Sequence, residues 1–153
     1  FSDFAEMPEP KKEELNVVEV VELAFDIFNR DQISFNPSSS KIQANFDRTQ
    51  LIRVITNLLK NAFQAIPEDR NPEIAVNISE KDDEVNISIS DNGYGISKMD
   101  MEKIFEPSFT TKSSGMALGL SMIKSIITAY NGSITFTSKS NVGTTFNITF
   151  PKK

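Results

Sequence analysis

Four polar side chains stand close together in one stretch of the chain: Asn57, Lys60, Asn61 and Gln64. At 100° per residue they share a stripe of roughly 100° on a helix whose other side carries Leu51, Ile55, Leu58, Leu59, Ala62 and Ile66. A solvated helix face is ordinarily filled with Glu and Lys. Asn is a poor helix former, and here it recurs at positions i and i+4. Stacked amide oxygens can hold a hard cation and the phosphates it carries, which offsets the lost propensity.

A second group, Asp91-Asn92-Gly93-Tyr94-Gly95-Ile96, falls where an alternating strand ends. A buried carboxylate at a strand end can accept a hydrogen bond from an exocyclic amine, and the glycines let backbone approach a flat base. The same residues also make an ordinary turn. They do not form the dinucleotide fingerprint, because the third glycine is missing and no helix opens on them.

The third group lies in the segment 104–120, a polar run inside a compact domain and of the kind that forms lids. Thr110, Thr111 and Lys112 supply hydroxyls and a cation suited to a polyphosphate. Gly115 and Gly119 lie where a helix begins, and its free N–H groups and positive dipole end suit an anion.

These groups need a scaffold. Residues 1–14 lack an apolar period and read as a linker, with the domain running from Leu15 to Lys153. Asn16 caps a helix expected to reach Asn29. Strands are expected at Ile33–Phe35 and Ile42–Phe46. Asp47 with Gln50 forms a capping-box pattern ahead of a helix to Ile66. Strands Ile74–Ser79 and Val85–Ser90 form a hairpin. A short helix Lys98–Ile104, a loop over 106–117, a helix Leu118–Tyr130 and a hairpin of Ile134–Ser138 with Thr144–Phe150 complete the chain. Three main helices and about six strands, not in strict βαβ alternation, predict an α+β fold. Its form is a two-layer sandwich with the helices on one face of a mixed, mostly antiparallel sheet.

Composition narrows the chemistry. The chain has 153 residues, 39% of them hydrophobic with twelve Phe, enough for one domain with a sizeable core. It contains no Cys, Trp or His. A disulfide framework, a zinc finger, a Ser-His-Asp triad and a Cys-His pair are therefore excluded. The net charge is −5 and the basic residues are scattered, so no nucleic-acid stripe is present. No apolar run reaches the ~20 residues of a membrane span, and the start at Phe1-Ser-Asp-Phe reads as a piece cut from a longer cytoplasmic protein.

Taken in order, the motifs resemble the nucleotide-binding domain of sensor histidine kinases, in the superfamily that includes gyrase, the Hsp90 chaperone and MutL. Asn57-Leu-Leu-Lys-Asn61-Ala-Phe-Gln-Ala65 resembles the N box, Asp91 to Ile96 the first glycine box, Phe105 to Lys112 the F box and Gly115 to Leu120 the second glycine box. Gly143-Thr144-Thr145-Phe146 resembles the closing strand, and Phe1 to Pro10 is similar to the exit of the dimerisation domain in nitrogen-regulation (NtrY-type) kinases. The resemblance implies the Bergerat-type ATP-binding fold, with ATP and Mg2+ as cofactors. It implies that Asn61 ligates magnesium, with Asn57 and Lys60 near the phosphates. Asp91 would bond the adenine amine, with Gly93, Gly95, Ile96 and Ala65 around the base. Thr110, Thr111 and Lys112 would lie on the lid, Gly115, Leu118, Gly119 and Leu120 would border the phosphates, and Thr144 would reach adenine through water.

The implied function is the catalytic half of a two-component histidine kinase, passing the γ-phosphoryl group to a His on a separate dimerisation domain. With no His, the chain holds no phosphoacceptor of its own. The implied partners are that dimerisation domain and a response regulator, without nucleic acid or membrane contact. The expected setting is a cytoplasmic, monomeric domain whose parent protein can be anchored in the inner membrane. Hydrolysing members of the superfamily carry Glu where this chain has Asn57, and an amide has no useful basicity near neutral pH, so transfer is favoured over hydrolysis. Ala117 departs from the family's Gly-x-Gly-Leu-Gly-Leu. A methyl there costs about 1 kcal/mol if the backbone is left-handed, which predicts weaker nucleotide binding. The alternatives are a serine kinase of the anti-sigma type and a nucleotide-sensing module with a weakened ATP site.

Overall fold

The computed structural model describes residues 10–107, 110–111, 116–117 and 119–153; at 110, 111, 116 and 117 it describes backbone only. The core rests on period-two alternation. On the last strand, β9 (Gly143–Pro151), every second residue is buried, so that Thr144, Phe146, Ile148 and Phe150 face inward. The other members of the main sheet are β2 (Ile33–Pro37), β4 (Ile74–Lys81), β5 (Glu84–Asp91) and β8 (Ser133–Lys139), in the order β2-β4-β5-β9-β8. Only β2 and β4 run parallel; the remaining pairs are antiparallel. The mixed, mostly antiparallel sheet is the one the sequence predicts.

The hairpin turns follow from residue type. Asp82 and Asp83 both take positive φ (52° and 65°), the two-residue turn whose twist matches the strands it joins. Asn131 takes φ 62° after the helix α4 (Leu120–Ala129), with Gly132 N donating to Ile127 O and Asn131 N to Thr128 O. That pair of bonds is the Schellman stop, at the Asn-Gly where the sequence places it.

The long helix α2 (Arg48–Gln64) lays Leu51, Val54, Ile55, Leu58, Leu59 and Ala62 against the sheet. Its polar stripe is less uniform than helical spacing suggests. Lys60 and Gln64 are exposed and Asn57 is half-buried, but Asn61 keeps only 7% of its surface, so the stripe's edge turns into the protein.

Asp47 caps α2 through Gln50 N at 3.1 Å, as the capping-box pattern predicts. The return bond is different. The Tyr130 hydroxyl stands between the two residues, accepting from Asp47 N at 3.1 Å and donating to Gln50 Oε1 at 3.1 Å. The box is thus closed through a residue 80 positions away, which fixes the carboxyl end of α4 against the amino end of α2.

Elsewhere boundaries move. Helix α1 (Val17–Leu23) stops short of Asn29 because its last turn tightens into 3-10 geometry over Ala24–Ile27. Phe25 is thereby buried edge-on against Phe35, with ring centroids 5.0 Å apart. Helix α3 spans only Lys98–Met101, and α4 begins at Leu120 rather than Leu118, with Gly119 left-handed at its cap (φ 62°).

Two pieces expected to be irregular are strands. β1 (Lys12–Asn16) pairs antiparallel with β3 (Gln43–Asp47), taking residues 12–14 of the expected linker into a two-stranded ribbon. Leu15 is its one buried residue, so no apolar alternation marks it; backbone pairing makes the strand. Within the expected loop, β6 (Thr110–Thr111) pairs with β7 (Met116–Ala117).

Candidate functional site

Asp91 is the last residue of β5, in register with Thr144 on β9. Its Oδ1 accepts from Gly93 N at 2.9 Å and from Thr144 N at 3.3 Å. Both bonds favour the ionised carboxylate, yet burial dominates and pushes the group up to about 6. A carboxyl poised in that range, with amide bonds on one oxygen, presents its other oxygen as an acceptor for an N–H donor.

Beyond Asp91 the chain turns through two glycines, each required by its surroundings. A Cβ on Gly93 would come within 2.4 Å of Ala65 O. Gly95 has φ 77°, and a Cβ there would meet Lys139 O at 2.4 Å. The close approach at Gly93 joins two of the sequence motifs: Tyr94 N donates to Ala65 O at 2.9 Å, so the loop after β5 is seated on the carboxyl end of α2.

On the other side Ser138 gathers the loop to β8 and β9. Its hydroxyl accepts from Ile96 N at 2.7 Å, lies 2.9 Å from Thr144 Oγ1 and donates to Gly143 O at 3.2 Å. A hollow of about 270 Å³ opens beside Asp91, Ser138 and Thr144. A larger one, about 580 Å³, lies between Phe105 and the outer side of α4, where Lys124 Nζ sits 4.9 Å from the Phe105 ring centre; among the described residues none of the predicted site lines it.

The structure therefore brings together Ala65, Asp91, Gly93, Gly95, Ile96 and Thr144, drawn from α2, β5, its following loop and β9. Asn57, Lys60 and Asn61 lie on α2, one to two turns before Ala65. Gly119 is exposed at the start of α4, whereas Leu120 is buried in the core at 1% exposure, so any contact it makes with an anion comes from its backbone. Thr110 and Thr111 are placed only as backbone of β6, and Ala117 only as backbone of β7. Lys112, Gly115 and Leu118 lie outside the described residues. Among the described residues no three acidic side chains cluster in a way that would hold a metal ion.

Sequence reading missed Ser138 and Arg70. The Arg70 guanidinium donates to the carbonyls of Asn92 and Gly93. Neither residue belongs to a recognisable motif, and only the sheet's register and the path of the α2–β4 connection bring them to the glycine loop.

The arrangement has known counterparts. Sensor protein FixL of Bradyrhizobium diazoefficiens is 35% identical over 121 residues, 78% of this chain and 24% of its own length. A putative sensor histidine kinase NtrY-like of Rickettsia bellii is 30% identical over 151 residues, 96% of this chain and 25% of its own. The chain thus spans about a quarter of the length of the curated relatives it matches. Among solved structures, the catalytic domain of histidine kinase ThkA superposes with a TM-score of 0.82 at 30% identity, covering 93% of this chain and 96% of that one. ThkA solved in complex with response regulator protein TrrA superposes at 0.81 with 26% identity, covering 99% of this chain and 46% of that one. Residues 46–153 match the model of the histidine kinase-, DNA gyrase B- and HSP90-like ATPases. With residues 46–153 matching that family's model and the fold of a histidine kinase catalytic domain, the chain belongs to that ATPase family.

Proposed function

We propose that this domain holds magnesium-bound ATP and aims its γ-phosphoryl group at a histidine on a separate dimerisation domain. The observation that carries the reading is the Asp91 carboxylate. It is held by two backbone amides on one oxygen and stands beside a loop whose glycines lie against Ala65 and Lys139. Such a group would accept a bond from the exocyclic amine of adenine, and Thr144, tied to it through its own amide, would reach the base through a water.

On the phosphate side, Asn61 would supply one amide oxygen to the cation, whose remaining ligands would come from phosphate and water. Lys60 is exposed and free to swing towards negative charge. Thr110, Thr111, Lys112, Gly115, Leu118, Gly119 and Leu120 would close over the phosphates. Asn57 stands where a hydrolase needs a base, and an amide does not take a proton from water near neutral pH. The domain's part is then positioning and charge stabilisation, which suffices for phosphoryl transfer.

The partners proposed are the dimerisation domain and, downstream, a response regulator, the kind of protein with which ThkA was solved. Among the described residues no helix is long and apolar enough to cross a membrane, which suits a cytoplasmic domain. We take residues 1–11 to lead from the dimerisation domain and the domain alone to be monomeric.

The test is to mix the chain with γ-labelled ATP, magnesium and candidate dimerisation domains. Acid-labile phosphate is expected on a histidine of the latter, and label released only as free phosphate would overturn the reading. Ala117 motivates a second reading, a module whose ATP site is weakened. Magnesium-dependent ATP binding separates the two, since its absence favours the module.

A further inference from the structure

The glycine loop has little conformational preference of its own, with two glycines in three residues, so its shape must be imposed from outside. Five hydrogen bonds to the α2–β4 connection impose it. Arg70 Nη1 donates to Asn92 O at 2.5 Å and to Gly93 O at 3.2 Å. Asn92 answers with its side chain, Oδ1 accepting from Glu73 N at 2.9 Å and Nδ2 donating to Asn71 O at 2.9 Å. Tyr94 N to Ala65 O is the fifth.

The Arg70 bonds fall on two consecutive peptide planes. In a trans peptide the carbonyl and the N–H point in opposite directions, so holding one end aims the other. The oxygen of the 92–93 peptide lies on the guanidinium while its N–H, that of Gly93, donates to Asp91 Oδ1. The oxygen of the 93–94 peptide also lies on the guanidinium, and its N–H, that of Tyr94, donates to Ala65 O. Each plane is gripped from both sides. Charge-assisted bonds are about twice as strong as neutral ones: on the 92–93 plane both grips are of that kind, guanidinium on one side and carboxylate on the other, whereas on the 93–94 plane only the Arg70 side is.

We propose that Arg70 is a positioning residue for adenine recognition: it orients the 92–93 and 93–94 peptides and, through the Gly93 N–H, the Asp91 carboxylate. The proposal rests on the reading of Asp91 as the acceptor for the adenine amine. Arg70 touches no nucleotide in this scheme and acts only on the base end of the site.

That restriction supplies the test. The unsubstituted chain and Arg70→Gln are titrated with magnesium ATP, with adenosine and with magnesium tripolyphosphate, which has no base. Arg70→Gln is expected to weaken ATP and adenosine alike, by about tenfold, and to leave tripolyphosphate unchanged. ATP affinity within twofold of the original, or a parallel loss for tripolyphosphate, overturns the proposal. Should Arg70→Gln fail to fold, Arg70→Lys decides by the same split, because its ammonium keeps the charge but lacks the reach and rigid plane that set one nitrogen, Nη1, on both carbonyls. About a threefold loss confined to ATP and adenosine supports the proposal, and no loss or a uniform one overturns it. Failure of the unsubstituted chain to bind ATP would instead remove the nucleotide reading itself.

Discussion

The two ends of α2 hold their neighbours by different means. At the amino end, Asp47, Gln50 and Tyr130 form a closed polar knot: the hydroxyl both donates and accepts, and the carboxylate caps the helix while its Oδ2 takes the Lys11 amide at 2.7 Å. At the carboxyl end one backbone bond, Tyr94 N to Ala65 O, is joined by the Arg70 and Asn92 side chains, each bonded to backbone, and both amide bonds to Asp91 fall on Oδ1. The first arrangement satisfies its groups internally and serves stability. The second holds a charge-bearing acceptor against the pull of burial, which is useful only if something else arrives to bond it.

The contrast is sharpest in the substitution Asp91→Asn. Loss of the carboxylate should lower ATP affinity by about a hundredfold, the scale of a buried charge-assisted bond. Stability should move the other way. The folded carboxyl titrates near 6, above its ordinary value of 3.8, so the native state binds more protons between those limits and stability declines as pH rises through them. Removing the charge therefore raises stability at neutral pH, by up to about 3 kcal/mol. Calorimetric titration and thermal melts on one sample measure both, and a fall in stability together with affinity would erase the distinction between the two ends.

Tyr130→Phe is the converse. It leaves Asp47 N and Gln50 Oε1 without the hydroxyl in a buried site, and should cost about 2 kcal/mol in urea denaturation with ATP affinity within twofold. A tenfold loss of affinity in the folded variant would show that the two ends are energetically one unit.

A third expectation follows from the same carboxyl. In the free chain, ATP affinity should fall as pH drops through about 6, where Asp91 gains a proton and its charge-assisted acceptor becomes a weaker, neutral one. Titrations between pH 5 and 7.5 measure this. A flat profile, or the same slope in Asp91→Asn, would assign the effect elsewhere.

The smallest effect expected is at Ala117. Ala117 is extended in β7, so the expected left-handed backbone is not its conformation here; Gly at 117 should raise ATP affinity by about fivefold, equivalent to about 1 kcal/mol, only if nucleotide binding turns that backbone left-handed. Equal affinities would remove the argument for a weakened site.

How much of this was legible depended on whether a contact is local. Asp91 and its glycines are neighbours in sequence, and the helical spacing of Asn57, Lys60 and Asn61 is a property of one element, so residue types and intervals were enough to single them out. The mixed, mostly antiparallel sheet showed through the alternation of β9 and the Asp82-Asp83 turn, although one of the six strands expected, β3, pairs with β1 outside it. Arg70 and Ser138 reach the loop from 22 to 42 residues away, and nothing near them in sequence marks the destination. The capping box was readable at Asp47, but the hydroxyl that completes it lies 83 residues on. β1 escaped because a strand held by backbone pairing, with one buried side chain, leaves no pattern in hydropathy.

The ribbon of β1 and β3 also ties the start of the described chain to α2. The Lys11 amide is bonded to the residue that caps α2, and α2 has seventeen residues, a rod of about 25 Å. Strand β1 and the glycine loop therefore sit at opposite ends of one rod. A displacement of β1 would bear on the helix cap and the Tyr130 knot and, through the bond from Asn45 N to Lys152 O, on the end of the main sheet remote from Asp91.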